Sequence, residues 1–451
     1  MSKILALDIG TTTIVGLLYD TDINEIIEIT EHYHNGFIKS SDPLKSEINP
    51  SKLLDQVSNV LNHFNKHTID GISLTGQMHG FVALDKQHQP VTNFFTWMDK
   101  VALHKNSNGI TYLDEFLQLL DNKPKNSMIG YMASNLYAMN KMGILPKDAY
   151  YFVTIHDFIT YELCKRAVID PSFAESTGFY NSNKNNWDDD LIRKCGFSIE
   201  QFSEIVDTST HIGFYRNIPV FVGLGDNQAS VLGSIANIDE MILINVGTGG
   251  QVSLVLSNEM LPPHIETRVF IEGKKIAVGV TLCSGKAYES MMKFIKNIGL
   301  IYFNSLLDDK DIYILMEKYN NYHTNVCCEP TFLGTREEPH KYGSFYNINL
   351  ESFTIENFLG ALSKGIIEEL HGHYRKMNIE RKTVVASGGL IKKNRIFQNI
   401  IKSIFNKNLL LTKCHQEAAL GAAIAAIKGL KIIDSFKETG TFIKYNESYI
   451  S

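Results

Sequence analysis

The 451-residue sequence has no apolar run near the roughly 20 residues that a membrane-spanning helix needs, so no membrane partner is expected. It has no basic excess: 43 Lys and Arg stand against 49 Asp and Glu, a net charge of −6. A general nucleic-acid binder is usually basic, so no nucleic-acid partner is expected. A bound nucleotide is not excluded, because a metal ion and backbone dipoles can carry its charge locally. The cysteines (Cys164, Cys195, Cys283, Cys327, Cys328 and Cys414) form no C-x-x-C pair and no Cys/His spacing suited to zinc. Reduced, mostly buried thiols follow. The N-terminus carries Lys3 but no apolar signal segment with a small-residue cleavage site, so a cytoplasmic protein is expected. There is no low-complexity segment, no G-x-x-x-x-G-K-[ST], and no G-x-G-x-x-G opening a helix. A P-loop or a dinucleotide site would therefore lack its defining residues.

What is present is an internal echo. "DIGTTTIVGLLY" (Asp8 to Tyr19) matches "NVGTGGQVSLVL" (Asn245 to Leu256): Gly10 aligns with Gly247, Thr11 with Thr248, Val15 with Val252, Leu17 with Leu254 and Asp8 with Asn245. Each reads as strand, Gly-Thr turn, strand, and the second copy starts about halfway along a chain too long for one core. Two domains, 1–238 and 239–451, are expected.

The first half continues with a helix opened by Asn49 and Pro50, with Leu53, Leu54, Val57, Val60, Leu61 and Phe64 as one apolar stripe. A strand "DGISLTG" runs into "QMHG". Residues 110–150 read as mainly helical, and "PVFVGLGDNQAS" reads as strand, Gly-Asp turn, helix. The second half ends β-α-β-α through "KTVVASGG", "NRIFQNIIKSIF", "NLLL" and "HQEAALGAAIAAIKG". Small residues around Gly421 allow close helix–sheet approach, with Gly429 as the stop. Alternating strands and helices, with a hairpin heading each half, predict two mixed-sheet α/β domains.

Several short stretches can carry chemistry, and each has a plain structural alternative. A Gly-Thr hairpin gathers backbone N–H and hydroxyl groups into an anion site, or is just a tight turn; the pair favours phosphate. Asp8 beside a phosphate would need a cation between them, which suggests hydrated magnesium, or it caps its own turn. Asp226 can take a proton from a sugar hydroxyl, or it N-caps a helix. "TGQMHG" sets Gln77, Met78 and His79 between glycines, where Gln and His offer directional hydrogen bonds to a polyol; a strand-end His is also often structural. "FTWMDK" supplies Trp97 as an indole face for sugar C–H groups and Asp99 for hydroxyls, or Trp97 is a core residue. "ASGGLIKKN" places Gly388 and Gly389 where adenine and ribose could lie against backbone, or forms a tight β-α turn.

In this order, the segments resemble the FGGY family of carbohydrate kinases, within the actin/hexokinase/Hsp70-like ATPase superfamily. "LALDIGTTT" and "INVGTGGQVS" are similar to its two phosphate segments, "GLGDNQAS" to its catalytic-aspartate segment, "ASGGLIKKN" to its adenosine segment, and "EAALGAAIAA" to the helix behind that. "FTWMDK", "ETRVFIEGK" and "TFLGTREEPHKYGSFYNI" look more like sedoheptulokinases than xylulokinases, the next nearest. Met98 stands where the family has Gln, and Lys100 replaces its Gly-Arg, which points to an altered substrate end.

The resemblance implies a two-domain ribonuclease H-like fold of mixed sheets flanked by helices, with the active site in the interdomain cleft. It implies ATP as co-substrate with Mg2+ near Asp8, and phosphates held by Gly10, Thr11, Thr12, Gly247 and Thr248. Adenosine would face Gly388, Gly389 and Asn394. The sugar would be held by Gln77, Met78, His79, Trp97, Asp99 and Asn227, with Asp226 as general base. Arg336 is a further candidate to reach the cleft. A monomer or homodimer is expected. Two other classes remain open at this point: an actin- or Hsp70-like ATPase switch, and a sugar-binding regulator without catalysis.

Overall fold

Strand β1, Lys3–Ile9, buries Ile4 to Leu7 and Ile9 completely, which a strand can do only in the middle of a sheet covered on both faces. The computed structural model describes residues 2–120, 128–262, 264–312, 314, 321–335, 338 and 340–446. Arg336 lies outside the described residues. The chain divides into two compact units. The first comprises 1–233, 269–273 and 416–442; the second comprises 234–268, 274–415 and 443–451. The first break between the units falls after Gly233. The halves are not uninterrupted, however, because residues 416–442 return to the first unit.

In the first unit, β1 pairs antiparallel with β2 (Thr13–Asp20), and β2 pairs antiparallel with β3 (Glu25–Tyr33). On its other side β1 runs parallel to β4 (Gly71–Gly76), with Asp8 opposite Thr75. Beyond lie β5 (His211–Tyr215) and β6 (Ile218–Phe221), giving the order β5-β6-β4-β1-β2-β3 with β6 parallel to β4. Helix α1, Pro50–His63, starts as expected: the Asn49 side chain accepts the Lys52 N–H at 3.1 Å, and Pro50 needs no donor at the first position. Its Leu53, Val57, Val60 and Leu61 are buried, each contributing roughly 1.5–3 kcal/mol.

In the second unit, β7 (Met241–Val246), β8 (Gly250–Leu256), β9 (Glu266–Val269), β10 (Lys275–Thr281), β11 (Thr383–Ser387) and β12 (Asn408–Leu411) are ordered β9-β10-β8-β7-β11-β12. The pairing β6-β4-β1-β2-β3 has the same senses as β12-β11-β7-β8-β10: parallel, parallel, antiparallel, antiparallel. The Gly-Thr echo is thus the visible trace of a duplicated five-strand pattern.

The small-residue helix Glu417–Gly429 is buried along Ala419 to Ile427 and belongs to the first unit, where it packs on β1, β2 and β4. This differs from the place behind an adenosine segment that the resemblance implied. Gly421 serves a helix–helix contact, since a Cβ there would stand 2.0 Å from the Ala229 carbonyl oxygen. Gly429 is the last helical residue rather than a left-handed cap, and its missing Cβ leaves room for the Phe221 ring. No helix among the described residues is long and apolar enough to cross a membrane.

Candidate active site

In the first unit the parallel strands β1, β4 and β6 end at one edge, the usual ligand-binding end of such sheets. Asp8 is the penultimate residue of β1. Gln77 follows β4 directly, its N–H donating to the Ile9 carbonyl at 2.9 Å. After β6 the loop 222–225 is drawn tight against β4. Thr75 Oγ1 donates to the Leu224 carbonyl at 2.6 Å, and a Cβ on Gly223 would lie 1.6 Å from the Leu74 oxygen. His156 Nε2 accepts the Gly223 N–H at 3.3 Å, and Ser172 Oγ accepts the Gly225 N–H at 2.9 Å. The loop delivers Asp226 as the first residue of helix Asp226–Leu232.

Gly225, not Asp226, is the N-cap of that helix, and no side chain caps it. Asp226 Oδ1 accepts the Asn227 N–H at 2.7 Å, and both residues keep part of their surface open. Asp226 is close enough to Asp8 for its charge to matter. Burial, then the Asp226 carboxylate, raise Asp8 from an ordinary value to about 7. Between them in strand order lies Gln77, 2% exposed, with no hydrogen-bond partner among the described residues for either side-chain polar atom. A buried amide left this way costs about 1–3 kcal/mol unless something else fills its bonds.

His79 is held in a left-handed conformation, φ 74°, uncommon for any residue with a Cβ. Its Nδ1–H donates to the Ser176 carbonyl at 2.8 Å, which sets the neutral tautomer, and its ring lies 4.1 Å from that of Tyr131. Met78 is buried against the Gly225 backbone. Trp97 is not a core residue: it is 48% exposed. Asp99 behaves differently from expectation. It is fully buried, and its carboxylate accepts the Ser46 N–H at 2.8 Å, the Val101 N–H at 3.1 Å and the Asn135 side-chain amide at 3.4 Å. Burial raises it to about 6.

The first Gly-Thr turn is closed by the Gly10 N–H to the Thr13 carbonyl at 2.9 Å, leaving Thr12 exposed. In the second unit Gly247 and Thr248 are exposed, and this turn rests on the start of helix Gly285–Phe303. The Gly247 carbonyl accepts the Gly285 N–H at 3.0 Å, and the Thr248 carbonyl accepts the Lys286 N–H at 3.0 Å. Sequence reasoning missed this helix start; "SGK" after an apolar strand is its signal. Among the described residues a Cβ on Gly247 or Gly389 meets nothing within 4 Å, so open space lies above both. Gly388, at φ 94°, passes so close to β7 that a Cβ would lie 2.3 Å from the Val246 oxygen. Asn394 is 3% exposed and caps helix Arg395–Phe405, with its amide to the Tyr288 hydroxyl at 3.3 Å. Its side chain is thus engaged within the protein.

Among the described residues no group of three or more His, Cys, Asp or Glu side chains could enclose a metal. A hydrated magnesium ion needs no such cage, because it takes one or two carboxylates and keeps waters and phosphate oxygens.

Residues 3–233 match the FGGY family of carbohydrate kinases, N-terminal domain, and residues 304–430 match the C-terminal domain of the same family. A xylulose kinase from Staphylococcus xylosus is 24% identical, covering 99% of this chain and 95% of that one. Human sedoheptulokinase is 23% identical over 80% of this chain and 81% of its own. A crystal structure of a ligand-bound xylulose kinase from Lactobacillus acidophilus superposes with a TM-score of 0.84 at 19% identity, covering 99% of this chain and 93% of that one.

Proposed function

The chain belongs to the FGGY family of carbohydrate kinases, and on that premise we propose that it transfers the γ-phosphate of ATP to a terminal hydroxyl of a ketose, sedoheptulose ahead of D-xylulose. Enzymes of this family are phosphotransferases with an alcohol acceptor and ATP as co-substrate. The observation that carries the reading is the cluster at the ends of β1, β4 and β6: Asp226 in the first turn of its helix, Asp8 beside it with its proton affinity raised, and the buried Gln77 amide, which has no partner among the described residues.

Asp226 is the general base. It takes the proton of the acceptor hydroxyl as the oxygen attacks phosphorus. Gln77, His79, Met78 and Asn227 hold the sugar, with Trp97 offering an indole face. Asp99 braces the Trp97 loop from below rather than meeting a hydroxyl. The turns Gly10–Thr12 and Gly247–Thr248 take phosphate oxygens, the second aided by the helix start behind it. Gly388 and Gly389 leave backbone for adenosine, and Asn394 acts through the helix it caps. The first unit therefore serves the sugar, the base and one phosphate turn, and the second serves the other phosphate turn and adenosine.

Magnesium fits Asp8, because the Asp226 carboxylate beside it raises the proton affinity of Asp8 and a divalent cation relieves that repulsion. Bound there, it would neutralise charge on the phosphate oxygens.

A coupled ADP-release screen over ketoses, pentitols and glycerol tests the reading. Sedoheptulose or D-xylulose should lead. Activity confined to glycerol overturns the ketose assignment. ATP turnover that no sugar stimulates favours the switch protein, and ketose binding without turnover favours the regulator.

A further inference from the structure

We infer that Trp97 is a positioning residue that couples occupancy of the sugar pocket to the first phosphate turn, an inference that rests on the kinase reading above. The indole N–H of Trp97 donates to Thr11 Oγ1 at 3.0 Å, although the ring is half exposed and 86 residues away in sequence.

The backbone on the Trp97 side is firmly braced. Ser46 and Thr96 share a hydroxyl contact at 2.8 Å, and the Thr96 N–H donates to the Ser46 carbonyl at 3.0 Å. Asp99 accepts the Ser46 and Val101 N–H groups. The Lys100 N–H donates to the Leu44 carbonyl at 2.7 Å. Gly130 lies behind, so close that a Cβ would stand 1.9 Å from the Trp97 oxygen. What remains adjustable is the indole itself.

The Thr11 side is braced too. His34, 1% exposed, donates from Nε2 to the Thr11 carbonyl at 2.6 Å and accepts the Gly36 N–H on Nδ1 at 3.0 Å. Its own N–H donates to the Thr12 carbonyl at 3.2 Å. With the Thr11 backbone pinned, its hydroxyl is the part that can rotate. An indole N–H on one lone pair turns the hydroxyl proton away, toward whatever acceptor faces the turn. A sugar lying on the indole would hold the ring in that pose, and a phosphate oxygen would receive the proton. Sugar and ATP then bind more tightly together than apart, and the coupling is reciprocal.

Calorimetry with the magnesium complex of a non-hydrolysable ATP analogue, with and without the best ketose, tests this. Wild type should bind the analogue about 5-fold or more tightly with the sugar present. Trp97→Phe keeps the ring and removes the donor. It should lose that enhancement at an unchanged melting temperature, and by reciprocity the ketose should bind no more tightly with the analogue than without it. Thr11→Val should lose it as well, and the double variant should lose no more than either. A Trp97→Phe protein with intact enhancement, or additive single losses, overturns the coupling.

A second readout needs neither sugar nor turnover. The chain has two tryptophans, and Trp187 is buried at 6% exposure, so the wild-type spectrum minus that of Trp97→Phe reports Trp97. The nucleotide analogue alone should shift that emission; a bound analogue with no shift overturns the link to Thr11. If wild type binds no nucleotide, the kinase reading falls and this inference with it. If wild type binds and phosphorylates but Trp97→Phe behaves identically, this inference alone falls.

Discussion

Asp8 and Asp226 leave two parallel strands at the same edge of one sheet, and the charge of Asp226 adds to burial in lifting Asp8 to about 7. Two carboxylates so placed are unfavourable for the empty protein and suited to a proton in transit and a cation. Asp226→Ala should therefore lower kcat by about 10²–10⁴-fold while leaving analogue binding and melting temperature intact or slightly improved. Near-normal turnover in this variant removes Asp226 as the base.

Gln77 separates stability from binding. Its amide is buried with no partner among the described residues, so an unbranched apolar replacement loses no hydrogen bond to them. Gln77→Met should melt at or above the wild-type temperature and raise the sugar KM about 10-fold or more. A clear drop in melting temperature would show that the amide serves the fold.

Two glycines of the second unit should part company. Gly247→Ala meets open space, so it should fold normally and weaken nucleotide binding by intruding on a phosphate. Gly388→Ala demands a left-handed alanine with its Cβ 2.3 Å from the Val246 oxygen, and should cost stability by a few kcal/mol. Thermal melts beside analogue titrations distinguish them; equal stability for the two would contradict the geometry.

Asp99 braces a loop, so Asp99→Ala should act first on stability. Removing the acceptor strands the partly buried Ser46 N–H and the buried Val101 N–H and should cost about 1–3 kcal/mol. A raised sugar KM at unchanged melting temperature would instead favour direct contact with a hydroxyl.

His156 predicts a pH dependence. Burial depresses it to about 4 from the ordinary 6.5, and the neutral Nε2 accepts the Gly223 N–H on the loop that delivers Asp226. The unfolded chain therefore binds more protons between these values, and stability falls as pH drops from about 6.5 to about 4. The loss is on the order of 3 kcal/mol. His156→Gln should flatten the melting-temperature profile over that window; an unaltered slope would assign it to other groups.

How much of this was legible varies by residue. The strand–turn–strand echo, the helix opened by Asn49–Pro50 and the strand–helix alternation of the last hundred residues were readable, because caps, turns and periodicity are local signals. Trp97 and Asp99 sit two apart and look alike as candidates. Their fates diverge because one side chain leaves the surface and the other finds backbone N–H groups contributed by Ser46 and Val101. No local pattern encodes that.

Sequence alone determined the duplicated hairpins, the order of the segments and the family they resemble, since all three are carried by contiguous residues. Tertiary structure decided which carboxylates share an edge, that Gly225 rather than Asp226 caps the helix, and that residues 416–442 return to the first unit. It also decided that a Trp97 loop closes on a Thr11 turn. These are contacts between residues tens to hundreds of positions apart, made by the parallel pairing of β1, β4 and β6 and by a helix buried on every side, and they exist only once the sheet has assembled.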